Sequence, residues 1–278
     1  HESTRRQRQM CIRDRIKTYP TPPKFGDNVQ TRRYTLTWRF VTNSGQDDGI
    51  IRPAIGAYGW PYYPGSSMKG IFRNVCSPKQ IERYCGTEEL LGDCIPGILR
   101  FHGGYPTDSS WQDNLVDIVH PQQDWQVMKD EKSIGAFALI SLYAPELEFG
   151  ISSTIVLDDQ EWKEIWQIWE KALSKGIGCR VSSGYGQVKD TSSLVIYSCH
   201  LHGRGMAPTL LNNEAEFRPN MLRGTIRSHA LRIFGGLTDA ETAEDLVQKL
   251  FGGIDGNGAL GLLGMKFETT SIIIDKFG

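Results

Sequence analysis

Lys69 and Arg73 stand four residues apart in the run Pro64-Gly65-Ser66-Ser67-Met68-Lys69-Gly70-Ile71-Phe72-Arg73. Arg223 and Arg227 repeat that spacing in Pro219-Asn220-Met221-Leu222-Arg223-Gly224-Thr225-Ile226-Arg227. Each run has a Pro-led turn, then a basic residue, a Gly, two further residues and an Arg. On a helix, residues four apart share one face. Ser66 or Ser67 is placed to cap the first helix, its hydroxyl accepting a hydrogen bond from a first-turn amide. A helix N-terminus offers free N–H groups and a partial positive charge. Two cations in the first turns oppose that dipole unless an anion sits there, and a nucleic-acid phosphate is the anion that fits. A Gly-Ser turn before a solvated basic face is the alternative for either copy alone. Recurrence in a similar context favours a repeated unit with a repeated job. No Gly-Lys-Ser/Thr follows a Gly and a four-residue gap, so the phosphate-hydrolysing loop of the Walker type is not expected.

A second stretch that could meet a backbone is Gly176-Ile177-Gly178-Cys179-Arg180-Val181-Ser182-Ser183-Gly184-Tyr185-Gly186-Gln187. Glycine tolerates positive φ and lets a partner approach closely, so Arg180, Gly184, Tyr185 and Gly186 join the candidate binding residues. Tight turns alone account equally for any one of the glycine clusters, which include Gly103-Gly104, Gly235-Gly236 and Gly252-Gly253.

The chain that must position these residues has 278 residues, room for one large or two ordinary domains. Its hydrophobic content of 39% and charged content of 23% are those of a globular protein. No apolar run approaches the roughly 20 residues needed to span a bilayer, and no secretory signal opens the chain. The formal net charge of −1 creates no global attraction for nucleic acid, so such binding must use local patches. Six Cys without a C-x-x-C pair point to a reducing, cytoplasmic setting.

Residues 1–31 are polar, basic and then Pro-rich, and are expected to be disordered or extended. The first residue is His rather than Met, and Arg5 to Arg15 resembles translated adaptor sequence; a native basic arm is the alternative. Arg33 to Val41 alternates, with Tyr34, Leu36, Trp38 and Phe40 on one face and Arg33, Thr35, Thr37 and Arg39 on the other, as a half-buried strand does. A polar loop with Asp47 and Asp48 follows, then a helix from about Ser67 to Val75. Ile98 to Phe101 reads as a strand ending at Gly103-Gly104, and Leu115 to Val119 as another. Ala136 to Tyr143 reads as a strand central in a sheet. Asp158 or Asp159 caps a helix running to about Lys175, whose apolar residues Trp162, Ile165, Trp166, Trp169, Ala172 and Leu173 have three-and-four spacing. Strand and helix order over 32–190 predicts an α+β sandwich of ferredoxin type, the architecture also of the RNA-recognition motif. Residues 191–278 begin again with a strand from Leu194 to Leu201, helices at about Met221–Phe234 and Ala240–Leu250, and a strand from Met265 to Ile274. A second unit thus starts and lacks its later half, as a fragment of a longer polypeptide would.

Together these features resemble the RAMP superfamily, the repeat-associated subunits of type III CRISPR effector complexes. Three motifs carry the likeness: Pro64 to Gly70, Ser183-Gly184-Tyr185-Gly186, and Phe217-Arg218-Pro219 to Arg227 with Leu250-Phe251-Gly252. Gly104-Tyr105-Pro106 with Val116 to Pro121 is similar to the terminal small RAMP subunit of Cmr-type complexes. The resemblance implies a ferredoxin-like RAMP unit, followed by an incomplete second one, that binds guide RNA, meets target RNA and stacks on other RAMP subunits. Gly65, Ser66, Ser67, Lys69, Arg73, Arg180, Gly184, Tyr185, Gly186, Arg223 and Arg227 are then the RNA-binding residues. Some RAMP subunits cut target RNA with an Asp between the first strand and first helix. Asp48, and less closely Asp47, occupies that loop and would bind a divalent metal ion or position the attacking 2′-hydroxyl. The second unit has Glu214 and Glu216 in the corresponding stretch, and the terminal subunit is regarded as non-catalytic, so binding without cleavage is the leading expectation. Some members carry zinc after the first helix. Cys76, Cys85, Cys94 and His102, spaced nine, nine and eight apart, are unlike common zinc modules. His200 and His202 read as ordinary strand residues and His120 as structural. A protein-interaction module whose basic pairs serve protein contacts is the remaining alternative.

Overall fold

The computed structural model describes residues 21–42, 45–47, 50–88, 94–112, 115–119, 137–189, 195–200, 216, 218–252 and 261–267. The chain divides into two units: His1–Cys179 with Gly186–Ile196, and Arg180–Tyr185 with Tyr197–Gly278.

In the first unit, β1 (Gln30–Thr35), β2 (Leu99–Pro106) and β3 (Glu146–Ser153) form an antiparallel sheet in the order β1-β3-β2. Helix α1 (Gly65–Arg73) lies between β1 and β2 in the chain, and α2 (Asp159–Leu173) follows β3. The period-two pattern of β3 sends Leu147, Phe149 and Ile151 to one face, where they are fully buried. Both helices pack on that face. Trp169 of α2 meets Phe149 edge-on with centroids 5.0 Å apart, and Phe72 of α1 meets Phe101 of β2 at 5.0 Å. Asp158 caps α2 by accepting from the Glu161 amide at 2.7 Å. The three-and-four stripe of α2 is buried from Ile165 to Leu173, each large side chain contributing ~1.5–3 kcal/mol.

After α2 the chain comes back beside β1. Leu36 bridges Val188 antiparallel, flanked by hydrogen bonds from the Lys189 amide to the Thr35 carbonyl and from the Thr37 amide to the Gln187 carbonyl. The Leu36 amide instead donates to Pro145, on the β3 side. The returning segment therefore lies along the edge of β1 remote from β3. On the sheet face away from the helices, Phe25 sits over Gly150 and beside Tyr105 and His102. The N-terminal stretch expected to be disordered or extended thus includes residues packed into the fold.

Small sheets surround this framework among the described residues. Arg39–Phe40 pairs with Leu142–Tyr143, and Gly86–Glu88 with Cys94–Pro96. A four-stranded sheet runs Gln46–Asp47, Ile50–Ile51, Phe137–Ile140, Val116–Val119. Phe137–Ile140 is therefore interior to a sheet, though not to the β1-β3-β2 one.

The single strand expected over Arg33–Val41 is instead two strands in two sheets. The Thr37 amide donates to Gln187 and the Trp38 carbonyl accepts from Ala144, which diverts the backbone from the β3 ladder. Arg39, expected on the solvent face, is fully buried. Its Nη1 donates to Ser141 Oγ at 2.7 Å and its guanidinium lies 5.6 Å from the Tyr143 ring centroid, contacts that offset the burial of a charge. β2 does not end at Gly103-Gly104 but continues to Pro106. Gly103 adopts φ +83°, and the register shift opposite Gly150 and Ile151 makes a bulge that the strand passes through.

In the second unit, α3 (Pro219–Gly235) packs on α4 (Ala240–Phe251), which Asp239 caps through the Thr242 amide at 2.9 Å. The described residues 195–200 of the strand expected over Leu194–Leu201 are not strand. Val195 to His200 is exposed and without regular structure, so no packed face rewards its alternation. Met265–Phe267 is likewise not strand, and residues 268–274 lie outside the described residues. No helix among the described residues is long and apolar enough to cross a membrane.

Candidate nucleic-acid interface

The start of α1 is set by contact with β2. A Cβ on Gly65 would collide with the carbonyl oxygen of Phe101. A Cβ on Gly103 would collide with the Tyr63 carbonyl and stand 3.0 Å from the Gly65 nitrogen. Two glycines pressed together fix the first helical residue at Gly65, with Pro64 as N-cap, so the expected cap at Ser66 or Ser67 is not made. The Met68 amide gives the first helical bond, to Pro64 at 3.0 Å. The amides of Gly65, Ser66 and Ser67 precede it and have no acceptor among the described residues.

Met68 and Phe72 point into the core at 0% exposure. Ser66, Lys69, Gly70 and Arg73 are exposed and, at the helical period, share an arc of about 100°. Arg73 Nη1 lies 3.4 Å from the Gly86 carbonyl, a weak tether. Outside the helix's own backbone, no atom of the described residues would lie within 4 Å of a Cβ on Gly70.

The second unit repeats this frame. The N-cap of α3 is Arg218, with Pro219 the first helical residue. Counted from the N-caps Pro64 and Arg218, Lys69 and Arg223 are both fifth, Gly70 and Gly224 sixth, and Arg73 and Arg227 ninth. Gly224 is as open as Gly70, and Arg227 is exposed. Here too a positive-φ glycine meets the helix start: Gly184, at φ +89°, would bring a Cβ 3.0 Å from the Pro219 Cβ.

Arg223 departs from the pattern. Its Nη2 donates to the Phe251 carbonyl at the end of α4, and its guanidinium lies 5.4 Å from the Phe251 ring centroid. Burial, and then Arg227, lower its pKa. A cation on the last carbonyls of a helix is favourably placed, so Arg223 ties α3 to α4. Arg223→Ala is expected to cost ~1.5 kcal/mol of stability, read as a lower denaturation midpoint with an unchanged slope. An unchanged midpoint would remove the tie.

Within the Gly-rich segment, expected to let a partner approach closely, the amides of Gly184 and Gly186 are bonded within the chain. The Gly184 amide donates to Val181 at 3.0 Å and the Gly186 amide to Arg39 at 2.8 Å. A Cβ on Gly186 would collide with the Ile177 carbonyl. These glycines serve close packing of the chain on itself. Tyr185 is buried, whereas Arg180 is exposed and at φ +60°.

Asp48 lies outside the described residues, and Asp47 forms part of the Gln46–Asp47 strand. Cys76 and Cys85 lie near each other; burial and then Cys85 push the Cys76 thiol up to about 12. Burial also raises the Cys85 thiol, opposed by Lys69 and Arg73. Cys94 begins the Cys94–Pro96 strand. His102 is on β2, with Nε2 2.8 Å from Ser152 Oγ and a pKa lowered by burial. No group of three or more His, Cys, Asp or Glu side chains suited to a metal ion occurs among the described residues. His200 is exposed; His120, His202 and Glu214 lie outside the described residues. Sequence reasoning noted Gly103 only as a turn former and passed over Tyr58, although the flanking Gly56 and Gly59 signalled an unusual backbone there.

No protein-family model matches the chain, and no curated protein does. Similar solved structures include a chain of the cryo-EM structure of the Type III-B Cmr-beta bound to cognate target RNA. It has a TM-score of 0.44 and 22% identity, over 66% of this chain and 64% of that one. The present chain thus spans less than two thirds of its length. A Type IV-B CRISPR complex chain gives TM-score 0.36 and 18% identity, over 67% of this chain and all of that one. Cmr6 from Pyrococcus furiosus gives 0.34 and 16%, over 59% of this chain and 98% of that one.

Proposed function

We propose that the chain is an RNA-binding backbone subunit of a type III CRISPR ribonucleoprotein, gripping guide-RNA phosphates with the outer faces of α1 and α3. The observation that carries this reading is the common frame of the two helices: an open glycine at the sixth position after the N-cap and an exposed Arg at the ninth, joined on α1 by the exposed Lys69 at the fifth. A glycine inside a helix costs ~1 kcal/mol relative to alanine. Among the described residues, and apart from the helix's own backbone, neither Gly70 nor Gly224 has a neighbour that a Cβ would touch, so packing among those residues does not account for them. Close approach of an outside group does. On α1 the approaching group meets first-turn amides without an acceptor among the described residues, exposed hydroxyls and two exposed cations, all complementary to phosphate.

The order strand, helix, strand, strand, helix, returning edge segment supports the ferredoxin-like form that the RAMP resemblance implies. So does the spatial order of returning segment, β1, β3, β2. Contacts to phosphate hold any sequence, which suits a subunit whose specificity comes from base pairing with a guide. Guide RNA, target RNA and neighbouring RAMP subunits are the partners this reading assigns.

The test is a titration of the whole chain with single-stranded RNA across salt concentrations. Affinity is expected to fall log-linearly with salt, and Arg227→Ala is expected to weaken binding several-fold and reduce the slope by about 0.7. A wild-type slope near zero would reject RNA-phosphate binding altogether.

A further inference from the structure

We propose that Tyr58 stacks on a nucleobase of the strand whose phosphates α1 grips; this rests on the RNA reading above. Tyr58 has φ 56° and ψ 15°, in the left-handed region, where a bulky non-glycine residue is an outlier. Its neighbour Gly59 is also at positive φ, +81°. Burial does not explain the Tyr58 conformation, since the residue is 59% exposed. Strain of this kind persists only where the surroundings over-determine the backbone, and it concentrates at functional positions.

The surroundings do so here. Ile55 bridges Pro61, the Gly56 amide donates to Trp60 at 2.8 Å, and the Trp60 amide donates to Ala57 at 3.1 Å. Trp60 is fully buried against Trp111, with centroids 5.9 Å apart. The Ala57 amide donates to Tyr105 Oη at 3.0 Å, and Tyr105 stacks on Tyr62 at 5.3 Å with 17° between planes. The result is a closed hairpin on an aromatic base with an exposed ring at its tip.

Tyr63, two residues beyond that hairpin, and the α1 start both meet adjacent residues of β2. Tyr63 exchanges both backbone hydrogen bonds with Gly104, at 2.8 and 2.9 Å, and Gly103 presses on Tyr63 and Gly65. The loop that carries Tyr58 and the start of the cationic helix are therefore both anchored on β2. Single-strand binders combine cations that track the backbone with aromatic rings that take bases regardless of identity. In this proposal Tyr58 supplies the second component and the outer face of α1 the first.

The full chain is titrated with a short single-stranded oligoribonucleotide carrying one 2-aminopurine, whose fluorescence is quenched by stacking. Wild type and Tyr58→Phe are expected to quench it equally. Tyr58→Ala is expected to lose the quench and bind about tenfold more weakly. Tyr58→Gly is expected to bind as weakly as Tyr58→Ala without a lower melting temperature, because glycine accepts this backbone. Unchanged quench and affinity in Tyr58→Ala, with binding still weakened by Lys69→Ala/Arg73→Ala, overturns the stacking role and leaves the RNA reading standing. Binding indifferent to all of these substitutions overturns both. Loss of a protein partner with RNA affinity intact assigns the ring to protein contact and likewise overturns the proposal.

Discussion

Lys69→Ala/Arg73→Ala is expected to bind single-stranded RNA about 30-fold more weakly than wild type, at ~1 kcal/mol for each exposed cation. The exposure of both side chains is the reason for so modest a value per residue: water already screens them, and only the fraction of their charge neutralised by phosphate is recovered on binding. The salt slope should shrink by about 1.4, twice the value for one phosphate contact on a single strand. Stability should hardly change, since Lys69 makes no bond among the described residues and the Arg73 contact to Gly86 is long at 3.4 Å. Filter binding at several salt concentrations, with a denaturation curve on the same samples, separates the two effects. A double variant that binds as tightly as wild type, with the same slope, would detach α1 from RNA.

The glycines of α1 are expected to respond with opposite signs. Gly65→Ala must drive a methyl into the Phe101 carbonyl oxygen, and neither backbone can retreat without disturbing the bulge at Gly103. The expected loss is about 3 kcal/mol, with a parallel loss of RNA affinity as the first-turn amides shift. Gly70→Ala meets open space and gains helix propensity, so it should stabilise the fold by ~1 kcal/mol. If Gly70 is there to admit a phosphate, the same substitution weakens RNA binding while raising the denaturation midpoint. Stability equal to wild type in Gly65→Ala would mean that the helix start is not pinned by β2. Tighter or equal RNA binding in Gly70→Ala would leave that glycine without an account.

The elements that depend on local information were readable from residue order. α2 is long, capped by Asp158 and amphipathic at the helical period, so its boundaries and buried stripe follow from spacing. α4 is legible for the same reason, capped by Asp239, whereas α3, which lacks a side-chain cap and a buried stripe, is marked by Pro219 at its start and Gly235-Gly236 at its end. β1 was misjudged because alternation reports a half-buried face and not which neighbour pairs with it. Its outer edge is bonded to Gln187 and Lys189, about 150 residues away along the chain. Arg39 was misplaced because a charge can be buried once a distant Ser141 and Tyr143 receive it. The alternation of Val195 to His200 forecast a strand where no packed face exists to bury it.

For the candidate site, a basic residue, a glycine and an Arg three further on were visible twice in the chain, and helical geometry alone puts each set on one face. Which of those cations face outward was not visible. Arg223 is drawn onto the end of α4, while Lys69 and Arg227 are left exposed. The glycines of the Gly-rich segment, expected to admit a partner, have amides bonded to Val181 and Arg39. Periodicity and turn chemistry act over a few residues, so they settle which side chains travel together on an element. The availability of a charge or an amide depends on acceptors brought in from remote parts of the chain, and burial and hydrogen bonding across that distance are properties of the folded molecule alone.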